Sequence, residues 1–137
     1  MKKSLRKLTQ TITAGLLLSS LLLPSAFAAD LPPGTVVSNG LTWTRNNSTI
    51  KSKTANWTTA NNACNALTAG GYTDWRLPVF SEFDALDNVA LKSAGWTLDN
   101  TWSSTRYSSG RHYSGYLPNG NTGWGYDDTL YYVSCVR

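Results

Sequence analysis

Few residues of this sequence could move protons, hold a metal or attack a substrate. His112 is the only histidine, and Cys64 and Cys135 are the only cysteines. A zinc site draws on several His or Cys ligands, so no metal site is expected. A Ser-His-acid triad would have to use His112 within Arg111-His112-Tyr113, and no Gly-x-Ser-x-Gly turn accompanies it. His112 is therefore read as a surface residue. Asp127 and Asp128 are adjacent, and on a strand they would point to opposite faces, so they suit a turn better than an acid/base pair. Glu82 and Asp84 fall on a short predicted helix and are expected to be solvated or capping. Gly120, Gly123 and Gly125 precede no helix and lack a Gly-Lys-Ser/Thr ending, so they cradle no phosphate. No catalytic residue and no cofactor is expected.

The abundant chemistry is aromatic. The chain has 6 Trp and 7 Tyr against 3 Phe, and Trp and Tyr combine an apolar face with a polar handle. Trp43, Trp57, Trp75 and Trp102 sit within predicted regular elements and are assigned to the core. Tyr116, Trp124 and Tyr126 flank a Gly-rich turn and are the candidate ligand-binding residues. Arg106 and Arg111 lie nearby and could pair with acidic groups on a ligand.

Residues 1–28 read as a secretory signal peptide. Lys2, Lys3, Arg6 and Lys7 form a positive start, Ala14 to Leu23 is a short apolar run, and Ala26-Phe27-Ala28 fits signal-peptidase cleavage. The apolar run is short for a spanning helix, so no membrane span is expected after cleavage. The exported chain would be periplasmic or extracellular. Export also changes the charge argument. The full sequence has 12 Lys+Arg against 8 Asp+Glu, but four of those cations and none of the acids lie in the leader. Eight against eight remain, so charge gives no reason to expect nucleic acid as a partner. In an oxidising compartment two cysteines read as one disulfide. It would close a loop of about 70 residues and contribute on the order of 4 kcal/mol. A redox thiol pair is the alternative, and the spacing is unlike Cys-x-x-Cys.

These residues need elements to position them. Residues 29–39 read as a polar, flexible lead-in to a domain over 40–137. Leu41 to Thr44 alternates as a first strand should, and Asn46 to Lys53 is polar loop. Asn56 is a plausible cap for a helix over Trp57–Leu67, with Trp57, Ala60, Cys64 and Leu67 on one face. Gly70-Gly71 ends it. Trp75 and Leu77 alternate as a short strand, and Pro78 leads into a second helix from Phe80 to about Asp87. Residues 88–100 show no clear period. Beyond Thr101 the chain is β-rich: Trp102–Thr105, Arg111–Leu117, the stretch around Gly123-Trp124-Gly125-Tyr126, and Leu130–Val136. Turns fall at Ser108-Ser109-Gly110, Pro118–Asn121 and Asp127-Asp128. Alternation puts Tyr131, Val133 and Cys135 on one face. A Cys64–Cys135 bond would turn that face toward the first helix.

Gly71-Tyr72-x-Asp74-Trp75-Arg76-Leu77-Pro78 resembles the hallmark of the Lcl C-terminal domain family, named from a collagen-like bacterial adhesin. Gly40-Leu41-Thr42-Trp43-Thr44-Arg45, Trp102-Ser103-Ser104-Thr105 and the closing Cys135-Val136-Arg137 match in the same order. The resemblance spans roughly Thr35 to Arg137 and implies an α+β, C-type-lectin-like fold: two helices packed on a curved antiparallel sheet, with one disulfide. It implies a role in adhesion or glycan binding, with a glycan or a cell-surface or envelope protein as partner. Trp75, Arg76, Leu77, Pro78 and Trp102 are then structural, with Arg76 paired to Glu82 or Asp74. The family pattern usually places Thr or Ser after Arg-Leu-Pro, where this chain has Val79, so Ser81 is a possible later cap. Many glycan-binding C-type lectins hold calcium through a Glu-Pro-Asn-type loop and a Trp-Asn-Asp strand. The nearest match here, Leu117-Pro118-Asn119, lacks the carboxylate, and no calcium site is expected. Formylglycine-generating enzymes share a related fold but use a reactive cysteine pair, and they form the enzymatic alternative.

Overall fold

A computed structural model describes residues 31–137. The expected leader lies outside the described residues. Among the described residues, seven strands, two α-helices and two short 3-10 helices make a mixed α+β fold. Strands β1 (Val36–Ser38) and β2 (Leu41–Trp43) form an antiparallel pair. A five-stranded sheet runs in the order β3 (Thr54–Ala55), β7 (Tyr131–Tyr132), β4 (Asn100–Ser108), β5 (Arg111–Tyr116), β6 (Asn121–Tyr126). There are thus two sheets where one was expected. The larger is not wholly antiparallel, because β4 and β7 run parallel.

Helix α1 (Trp57–Asn65) starts where the sequence places it. The Asn56 side chain accepts the Thr59 amide at 2.9 Å, filling an orphan donor of the first turn. Ala60 and Cys64 are fully buried on its inner face. The helix stops two residues before Leu67, with the Leu67 amide reaching only to the Cys64 carbonyl. Cys64 is bonded to Cys135, with Cα atoms 5.3 Å apart, across 71 positions of sequence. Around this bond pack Ala55, Trp75, Leu77, Trp102 and Val133.

The expected second helix is a 3-10 helix, Phe80–Ala85. Val79 has no side-chain oxygen to cap it, and Ser81 does not serve as its cap. Instead Glu82 reaches back to the Val79 amide at 2.8 Å, half of a capping box. Asp87, expected to end that helix, caps the next one, α2 (Asn88–Ser93), by accepting the Val89 amide. Helix α2 escaped the sequence reading because it buries only Leu91. Phe83, Leu91, Trp96, Trp43 and Leu117 form a second core.

Val36–Ser38, expected within the lead-in, is the strand β1 paired to β2. The last strand is shorter than expected: only Tyr131–Tyr132 pair regularly. Beyond them the closing residues lie between two motifs. Thr42 and Arg137 exchange backbone hydrogen bonds at 2.9 and 3.1 Å, and Arg76 and Val136 exchange theirs at 3.0 and 2.8 Å. The opening and closing ends are therefore neighbours, and the Asp-Trp-Arg-Leu-Pro stretch is held by the C-terminal tripeptide.

Candidate functional site

The hairpin β5–β6 positions most of the candidate residues. Its register pairs Tyr126 with Arg111, Gly125 with His112 and Trp124 with Tyr113. Directly opposed residues share a face. Arg111, Tyr113, Trp124 and Tyr126 therefore stand on one side of the sheet, and His112 and Gly125 on the other.

On the first side the rings form a connected group. Tyr107 and Trp124 stack nearly parallel, 4° apart with centroids at 5.2 Å. Tyr113 meets the edge of Tyr107 and stacks on Phe80 at 4.8 Å. Trp124 and Tyr126 meet edge to face. The Arg111 guanidinium lies 4.7 Å from the Trp124 ring centre and 4.6 Å from that of Tyr126, and it donates to the Tyr126 hydroxyl at 3.0 Å. Such contacts hold an arginine against aromatic faces. No carboxylate pairs with Arg111 among the described residues. Tyr107, Trp124 and Tyr126 remain 45%, 41% and 52% exposed. Phe80 and Phe83 roof only part of this side: Phe83 presses on Gly115, where a Cβ would overlap its ring.

The structure therefore brings together Arg111, Trp124 and Tyr126, and adds Tyr107, Tyr113 and Phe80. Period-two alternation over Arg111–Tyr116 already places Arg111 and Tyr113 on one face in the sequence. Tyr116 does not join them. It shares parity with His112 and sits at the other end of β5, about 17 Å along at the usual strand rise. Arg106 stands opposite His112 in the register and donates its Nε to the Ser108 carbonyl. Neither belongs to the ring group.

His112 was expected at the surface and is buried. Its ring stacks on Trp57 with centroids 3.7 Å apart and planes 9° apart. Its Nδ1 lies 2.7 Å from Asp127 Oδ1. Asp127 sits in the turn after β6, as its adjacency to Asp128 suggested, and its carbonyl accepts the Trp57 amide at 2.9 Å. His112 thus joins hairpin, turn and helix start.

The motif residues Trp75, Leu77, Pro78 and Trp102 are buried. Arg76 forms a bidentate pair with Glu82, at 2.7 and 3.0 Å. Asp74, the other candidate partner, pairs with Arg137 at 2.9 Å. Partial burial works to raise the Glu82 pKa, but the Arg76 hydrogen bond, the Val79 amide and the Arg76 charge together outweigh it and hold it below the ordinary value. The Glu82 hydrogen bond raises Arg76, against the opposing effect of burial. The hydrogen bond from Arg137 holds Asp74 low.

A shallow cleft of about 440 Å³ lies at the opposite end of the hairpin, lined by Asp84, Leu86, Asp87, Asn88, Asn119 and Gly120. Asp87 is already committed to capping α2. Among the described residues no three His, Cys, Asp or Glu side chains gather as a metal site would need, and no helix is long and apolar enough to cross a membrane.

No curated protein matches the chain. The family model of the Lcl C-terminal domain matches residues 36–137, and it covers all seven strands, both cores and the ring group. The chain belongs to the Lcl C-terminal domain family.

Proposed function

We propose that this protein is an exported, non-catalytic recognition or adhesion module. It binds a glycan or surface polymer by laying sugar rings on the exposed Tyr107–Trp124–Tyr126 wall, with Arg111 at its side. One observation carries the reading: these rings are stacked and held in place yet remain open to solvent. Amphipathic rings held in this way offer contact area at little further entropic cost. The two sheets, joined chain ends and single disulfide agree with the C-type-lectin-like fold that we infer. A formylglycine-generating type of catalyst needs a reactive cysteine pair. Here the two sulfurs are bonded and buried, which supports the non-catalytic reading.

The test is a glycan array probed with the chain lacking its leader, and with its Trp124→Ala variant. Loss of the stacking ring should weaken binding about tenfold, with near-ultraviolet circular dichroism unchanged. Undiminished binding by the variant, or no glycan bound by the parent, refutes the reading.

A further inference from the structure

Strand β6 ends the five-stranded sheet, so among the described residues one side of its backbone has no neighbouring strand. The Asp127 amide donates to the Gly110 carbonyl at 3.0 Å. With the Arg111↔Tyr126 register, this fixes which groups point where. Antiparallel pairs alternate between hydrogen-bonded and not, so Gly125, Gly123 and Asn121 turn their amides and carbonyls toward β5. Thr122, Trp124 and Tyr126 turn theirs outward. Of these outward groups only the Tyr126 carbonyl has a backbone partner among the described residues, the Thr129 amide at 2.9 Å. The strand is six residues long and contains no charge and no proline, the devices that usually guard a sheet edge. The edge strand at the other end, β3, has only two residues.

Of the three residues with outward backbone groups, Trp124 and Tyr126 also carry exposed rings, and the Arg111 charge lies over those rings without a carboxylate among the described residues. We propose that β6 is a docking edge for an extended acidic polypeptide segment, which adds antiparallel to it as a sixth strand. The amides and carbonyls of Thr122 and Trp124 supply the hydrogen bonds. The added residue opposite Trp124 or Tyr126 stands on the same face as Arg111. A glutamate or aspartate there meets the guanidinium that the fold leaves unpaired. This site uses backbone at the rim of the sheet; it shares Arg111 with the proposed glycan face but does not need ring stacking.

The probe is a short synthetic peptide alternating valine and glutamate, titrated into the isotope-labelled domain. Amide exchange at Thr122 and Trp124 should slow on binding, while that at Gly123 and Gly125, already bonded to β5, should not change. Replacing the glutamates with lysines should weaken binding about tenfold, the scale of one charge-assisted hydrogen bond. Thr122→Pro removes an outward donor and no bond to β5, and should abolish binding. Should that variant disturb the hairpin, a peptide N-methylated on its glutamates, whose amides face Thr122, Trp124 and Tyr126, blocks the same hydrogen bonds without touching the protein, and it should fail to bind. Trp124→Ala, which removes glycan stacking, should leave peptide protection of the Thr122 amide in place. Equal affinity for the lysine peptide overturns the proposal, as does binding by the N-methylated peptide. A domain whose Thr122 and Trp124 amides are protected by self-association before any peptide is added also overturns it.

Discussion

The two faces of the β5–β6 hairpin are built from similar residues and treated in opposite ways. On one, His112 is stacked beneath Trp57 and tied to Asp127, while Gly125 lies under Tyr131 and Trp102, whose ring atoms would stand 2.7 and 3.1 Å from an added Cβ. On the other, Arg111, Trp124 and Tyr126 hold one another but stay in contact with water. An aromatic residue in this chain is core or surface according to strand parity and what lies above it, not its type. A two-residue period places both surfaces on the same two strands.

The disulfide offers the strongest way to break this contrast, because it belongs wholly to the closed side. Cys64 and Cys135 pack against Trp102 and Val133. Replacing both by Ala should cost on the order of 4 kcal/mol in urea unfolding, and the closed face should lose its amide protection first. A smaller effect should separate two neighbouring glycines. Gly125→Val drives two methyls into Tyr131 and Trp102 and should cost about 3 kcal/mol. At Gly123 the nearest atom to an added Cβ is Ser114 Oγ at 3.7 Å, an ordinary contact, so Gly123→Ala should stay within about 0.5 kcal/mol. Both glycines stand on the closed face, and equal costs at the two sites would mean that Tyr131 and Trp102 do not close over Gly125 as described.

Two tryptophans sharpen the same point. Trp57 covers His112 and donates its Nε1 to the Ser103 carbonyl at 2.9 Å. Its loss should cost about 2 kcal/mol, less than for a fully buried ring because it is only partly buried. Trp124→Ala removes only surface stacking and should cost under about 1 kcal/mol. Thermal melts of the two variants decide this, and a reversed order would place the structural load on the open face.

How much of this could be read from the sequence depended on how locally each feature is encoded. The Trp57–Cys64 face and its Asn56 cap follow from spacing within one helix, and the structure keeps them. Trp124 and Tyr126 flank glycines in a β-rich stretch, a local signal, and both lie in the ring group. Tyr116 is close to them in sequence, but alternation counted from His112 places it on the other face. Asn46 read as a loop residue but is fully buried, where it bonds the Thr97 carbonyl and the Thr101 hydroxyl, and its own carbonyl accepts the Val133 amide. Those partners lie 50 or more residues away, beyond any local signal. The burial of His112 was hidden for the same reason: Trp57 and Asp127 reach it from different elements.

A last, pH-dependent effect concerns the ion pairs that brace the central motif. Glu82 is one-sixth to one-fifth exposed and accepts from both Arg76 and the Val79 amide, whereas Asp74 is mostly exposed and accepts from Arg137. Both carboxylates are held below their ordinary values of 4.5 and 3.8. A group whose pKa is lowered by folding stabilises the fold fully above its unfolded value, and loses that contribution as pH falls through the folded one. For Glu82 the loss therefore begins below about pH 4.5. Urea midpoints taken between about pH 6 and about pH 3 should fall less steeply in Glu82→Gln than in the parent. At neutral pH the variant should be weaker by about 1 kcal/mol, since it loses a charge and weakens a half capping box. Asp74→Asn should flatten the acid limb less, because its pair is more open to solvent and salt. If Asp74 proves the more important of the two, the motif is braced chiefly by its link to the chain end and not by its own helix start.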